Sequence, residues 1–107
     1  GAGKPTKLEK KVHRQLEAQG VDFEIHREVK VEMFGEVHTL TPDIYVPAEN
    51  LFIEVNGCWV HNCPTCYGKD DVPRTERKRH KDAVRVNALL RAGYDVDVFW
   101  EHEIKQR

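Results

Sequence analysis

Long apolar runs are missing from this chain. None approaches the ~20 residues a bilayer-crossing helix requires, and the N-terminus has no apolar centre of the secretory kind. A cytoplasmic setting is therefore expected, with no membrane partner. Repeats, low-complexity tracts and internal linkers are also missing, so one domain is the economical organisation. Residues 1–5, which open Gly1-Ala2-Gly3, read as an expression scar or cut linker, and residues 6–107 as the domain. Cysteine is sparse, and its odd count of three argues against a disulfide framework. Net charge is nearly absent: at −1, it favours neither a polyanionic nor an acidic partner.

What is present reads as a folded, soluble domain, with 39% hydrophobic and 33% charged residues. Thr6 to Gln19 has the pattern of a helix: Leu8, Val12 and Leu16 recur every four residues, Thr6 and Glu9 fit a capping box, and Gly20 supplies a stop. Phe23 to Met33 alternates as a half-buried strand does, Phe34-Gly35-Glu36 reads as a turn, and Val37 to Val46 as a second strand. Leu51 to Val55 makes a third. Thr75 to Ala92 is a second long helix ending at Gly93, and Tyr94 to Trp100 a fourth strand with Val96, Val98 and Trp100 on one face. Glu101 to Ile104 forms a last turn. This order predicts an α/β fold, a mixed sheet flanked by helices with one crossover.

All three cysteines, Cys58, Cys63 and Cys66, fall within nine residues. The Cys63-Pro64-Thr65-Cys66 spacing lets one turn offer two thiolates to a single ion, which favours structural zinc. A redox pair is the competing reading, weakened by the third cysteine and by the lack of a clear helix after Cys63. Tetrahedral closure needs a fourth ligand, for which His61 and His102 both qualify. His102 is preferred, because it would tie the chain beyond the last strand to the cysteine loop and leave His61 for chemistry.

A second group is acidic. Antiparallel pairing of the segments around Asp43 and Glu54 would bring Asp43 next to Glu54 and Val55. Glu54 is the one charge in an apolar strand, where a buried carboxylate must be paired or hold a metal. Two carboxylates beside the Val55 main-chain carbonyl make an oxygen-rich nest suited to magnesium. Asp82, with Val86, Leu89 and Leu90, lies on one side of the second long helix, and Glu9 borders the apolar stripe of the first. Between Arg74 and Arg85 six basic residues face two acids, a stripe able to dock phosphate.

In their order along the chain, several segments resemble the very-short-patch-repair (Vsr-like) mismatch endonucleases of the restriction-endonuclease-like PD-(D/E)xK superfamily. They are Pro42-Asp43, the run from Ile53 through Glu54, Val55, Asn56, Gly57, Cys58, Trp59 and Val60 to His61, then Cys66-Tyr67, Val72 to Glu76, Asp82, and Gly93 to Glu101. The likeness covers nearly the whole chain from Leu8 onward. It implies a restriction-endonuclease-like core and a DNA endonuclease that needs magnesium for hydrolysis. Asp43 and the Val55 carbonyl would hold the magnesium, His61 would activate water, and Asp82 and Glu9 would support it. Zinc would lie on Cys58, Cys63, Cys66 and His102. This chain departs from that family in having Glu54 at an apolar position, Asn56 at a histidine position, and Val60 and Lys78 where aromatic wedges stand. These departures leave mismatch recognition uncarried and bring the chain closer to homing or mobile-element endonucleases, whose acid, acid, histidine, acid pattern it shares.

Glu54 is expected to join Asp43 as a metal ligand, with double-stranded DNA contacted by Trp59, Arg74, Arg77, Lys78, Arg79 and Lys81. A separate DNA-reading module, and a second copy of the chain, are the expected partners. The alternative is a zinc-containing DNA-binding module without catalysis, and behind it a degenerate nuclease fold serving as an assembly subunit.

Overall fold

The computed structural model describes residues 4–58, 63–67 and 73–105, with the backbone alone at 64, 67 and 73–76. Helix α1 (Lys7–Ala18) begins at the predicted capping box. Thr6 Oγ1 accepts the Glu9 amide at 3.1 Å, and the Glu9 carboxylate hydrogen-bonds back to Thr6. Val12 and Leu16 are its buried residues, and Gly20, at φ +72, takes the left-handed conformation that ends many helices.

Among the described residues six strands follow: β1 (Glu24–Ile25), β2 (Val29–Met33), β3 (Glu36–Leu40), β4 (Ile44–Val46), β5 (Leu51–Asn56) and β6 (Asp95–Trp100). The two long strands expected over Phe23–Met33 and Val37–Val46 are each broken. His26 stands at φ +61, which turns the chain out of extended geometry after β1. Pro42, which has no N–H for a ladder, precedes β4. The pieces join different sheets: β2 and β3 form a separate hairpin, and β1 stays with the main sheet. The predicted turn is the two-residue link Phe34-Gly35, at φ +55 and +77, the sign pattern of a type I′ hairpin.

The main sheet has the order β1-β4-β5-β6. β4 runs antiparallel to β1 and β5, while β6 runs parallel to β5 after the crossover through α3 (Pro73–Arg91). The sheet is therefore mixed and flanked by helices, as the element order predicts. On one face Ile44, Val46, Ile53 and Val55 pack with Val12 and Leu16 of α1 and Ile104 of α4 (Glu101–Lys105). On the other, Tyr45 and Phe52 pack with Val29, Val31 and Leu40 of the hairpin and with Ala88 and Leu89 of α3. Leu90, expected on that apolar side, is exposed, and Ala88 is buried beside Leu89 against Val29, Val31 and Leu40 of the hairpin instead. Ile44, Phe52, Leu89 and Ile104 have almost no exposed surface; each contributes roughly 1.5–3 kcal/mol of burial. No helix among the described residues is long and apolar enough to cross a membrane.

Candidate active site

Strand alternation decides which β5 side chains reach the site. Phe52, Glu54 and Asn56 share the α3 side, and their β6 partners Val96, Val98 and Trp100 lie beside them in register. β4 pairs Ile44 with Ile53, which sets Asp43 one step on, opposite Glu54. The expected juxtaposition is present: Asp43 Oδ2 accepts the Val55 amide at 2.8 Å, and Asp43 is buried.

Around this pair lies a cleft of about 800 Å³. Glu9, Asp43, Glu54, Val55, Arg79 and Asp82, all singled out in the sequence, line it together. Arg77 and Lys81 are exposed on α3 and Lys78 is half-buried there, none of the three on the cleft wall. His61 and Trp59 lie outside the described residues, as does the side chain of Arg74.

Two residues that the sequence reading gave no role of their own matter here. Arg85 Nε and Nη2 each lie 3.1 Å from Glu54 Oε1, a side-on ion pair within the cleft. Its signal was available in the sequence: Arg85 is three residues past Asp82 and four before Leu89, so all three share a helix face. Glu101 is the other. Its Oε1 accepts the Cys58 amide at 3.1 Å and its Oε2 lies 3.0 Å from Lys105 Nζ, yet it also borders the cleft.

The carboxylates feel this crowding. Glu54 is raised to about 7, chiefly by burial; the Arg85 guanidinium pulls the other way, and the neighbouring Asp43 carboxylate adds to the rise. Burial, followed by Asp43, also raises Glu9. Glu101 is lowered, first by its hydrogen bond with Lys105 and then by the Cys58 amide.

Cys58, just past β5, Cys63 and Cys66 about the short helix α2 (Pro64–Tyr67), and His102 of α4 converge with their donor atoms all within 4.8 Å of one another. A turn of helix does follow Cys63, contrary to expectation, but it delivers Cys66 into this four-residue group. His102 Nδ1 is 3.3, 3.6 and 3.7 Å from the Sγ atoms of Cys58, Cys63 and Cys66. With Zn–S near 2.3 Å and Zn–N near 2.05 Å, the N–S edge of a tetrahedron is about 3.6 Å. The donor set and its spacing therefore fit a tetrahedral metal such as zinc, closed by protein ligands alone. Cys58 and Cys63 are buried and no cysteine is in a disulfide.

No family model matches the chain. A type II nicking enzyme, V.XorIIP of Xanthomonas oryzae pv. oryzae (strain KACC10331 / KXO85), is 31% identical to it over 108 residues, spanning 94% of this chain and 74% of that protein. Over an alignment of that extent, the chain belongs to the family of this nicking enzyme.

Proposed function

We propose that the chain is a magnesium-dependent DNA endonuclease carrying a structural zinc, Vsr-like in its site and built on a restriction-endonuclease-like core. The observation that carries this reading is the meeting of Asp43 and Glu54 in one cleft with Glu9, Asp82 and two arginines. The nicking activity named for its relative supports it.

Asp43, Glu54 and the Val55 carbonyl would hold magnesium. Two carboxylates close enough to hydrogen-bond in a buried setting form a donor pair that a divalent cation fits. When bound, that ion supplies a Lewis acid beside a phosphate oxygen. The Val55 amide fixes the Asp43 carboxylate, so the donor is oriented before the ion arrives. His61 receives a proton from the attacking water, a task suited to an imidazole near neutral pH. Asp82 and Glu9 orient that base and the waters around it. Zinc on Cys58, Cys63, Cys66 and His102 anchors both ends of the segment that carries His61 and takes no part in hydrolysis. Trp59, Arg74, Arg77, Lys78, Arg79 and Lys81 contact the duplex, and a DNA-reading module supplies the target sequence.

Supercoiled plasmid offered to wild type and Asp43→Ala, with magnesium or EDTA, tests the reading. Magnesium-dependent nicking by wild type, at least 100-fold slower in the variant, is expected, in the range for loss of one electrostatic group. Folded, zinc-loaded protein that binds duplex but cuts with no divalent ion would instead make it a DNA-binding module.

A further inference from the structure

The cleft is acidic, yet a phosphodiester is an anion. Five carboxylates line it against two arginines, Arg79 and Arg85. A phosphate entering such a site is repelled unless cations meet it at close range. On β5 the side chain next along the same face from Glu54 is Asn56, buried and neutral, so the strand itself supplies no positive charge.

Arg85 is placed to supply it from the facing helix. Its side chain keeps 36% of its exposure while Glu54 keeps 13%, so the pair runs from the buried sheet out to the cleft. A guanidinium carries five N–H donors in a rigid plane. The Glu54 contact engages two of its nitrogens through a single oxygen. Anchored along one edge, the fork keeps a second edge for another oxygen acceptor, and a phosphate is the acceptor that matches it in shape and charge.

We infer that Arg85 binds the scissile phosphate, with Glu54 positioning its guanidinium and the outer edge of the fork donating to a non-bridging oxygen. This rests on the endonuclease reading. As water oxygen bonds to phosphorus and the bond to the leaving deoxyribose oxygen breaks, negative charge builds on the non-bridging oxygens. Arg85 stabilises that charge and transfers no proton. The attacking water gives its proton to His61, and the leaving oxygen takes one from solvent.

The test compares single-turnover plasmid nicking by wild type, Arg85→Met and Arg85→Lys, alongside zinc content, melting temperature, and duplex affinity in calcium. Arg85→Met should nick about 100-fold more slowly, the usual loss when one transition-state donor is removed, with zinc content kept and duplex affinity lowered far less than the rate. Added guanidinium ion should restore much of that rate, while sodium at equal ionic strength should not. Arg85→Lys keeps a charge near Glu54 and so protects the fold, and should fall between the other two. A full rate in either variant, or a slow Arg85→Met that guanidinium cannot restore, overturns the role of Arg85 alone. A wild type that never nicks with magnesium overturns the endonuclease reading, and this inference with it.

Discussion

Asn50 stands at φ +50, between a 3-10 turn (Pro47–Glu49) and β5, and both ends of its amide are engaged. Its Oδ1 accepts from Tyr45 Oη at 2.8 Å, its Nδ2 donates to the Gly93 carbonyl at 2.9 Å, and its own carbonyl accepts the Asp95 amide. One residue thus ties β4 to the loop between α3 and β6, and asparagine is among the few side chains at ease in left-handed geometry. Asn50→Ala should destabilise the fold by roughly 1–3 kcal/mol, since it strands hydrogen-bond partners as well as straining the backbone; urea midpoints check this. Glu54 leads to a prediction in pH. Its folded value, about 7, lies above its ordinary value, so the metal-free folded state holds an extra proton between the two. The associated stability is full below about 4.5 and lost as pH rises through about 7. The melting temperature of metal-free wild type should therefore fall relative to Glu54→Gln over that window. Magnesium, which binds the ionised carboxylate, should raise the wild-type value more at pH 8 than at pH 5.5. A difference between the two proteins that stays flat with pH would remove burial as the cause.

Among the elements, α4 and the hairpin differ most in what they carry. α4 brings Ile104 into the core, His102 into the metal group and Glu101 onto the Cys58 amide. Partners that orient a ligand typically account for 10–100-fold in metal affinity, so Glu101→Ala should weaken zinc binding by about that factor. Cys66→Ser should cost more, releasing zinc to a chelator and lowering the melting temperature; zinc titration and calorimetry would show both. In the hairpin, Phe34 is 76% exposed and in left-handed geometry. Phe34→Asn should stabilise the fold by roughly 1 kcal/mol or less, because asparagine tolerates that turn position. The metal group was legible in the sequence because two of its thiolates lie within one turn, and Asp43 with Glu54 because antiparallel register follows from strand order. The strand breaks at His26 and Pro42 were not, since alternation continues across each break while the backbone changes sheets. Arg85 was hidden within a basic stripe from which, among the described side chains, it and Arg79 line the cleft while Arg77, Lys78 and Lys81 do not, and only the position of α3 over β5 makes that division.

At the level of the whole molecule, one acid-lined cleft gathers the proposed catalytic residues among those described, and one centre makes one cut at a time. If the chain acts as one copy, nicked circles should accumulate fully before linear plasmid forms, and the rate should be first order in protein. Early linear product with second-order dependence would mean that two copies work together on the duplex. One consequence follows from the place of α4 in the chain. It comes after every other described element, so a ribosome delivers it later than the sheet, the cysteines and α3. Until residues 101–105 emerge, the nascent protein has four of its five cleft acids but neither the fourth metal donor nor the clamp on Cys58. Closure of the metal centre thus waits until after the sheet, the cysteines and α3 have been made, so a ribosome stalled before Glu101 releases a fragment without a closed metal centre.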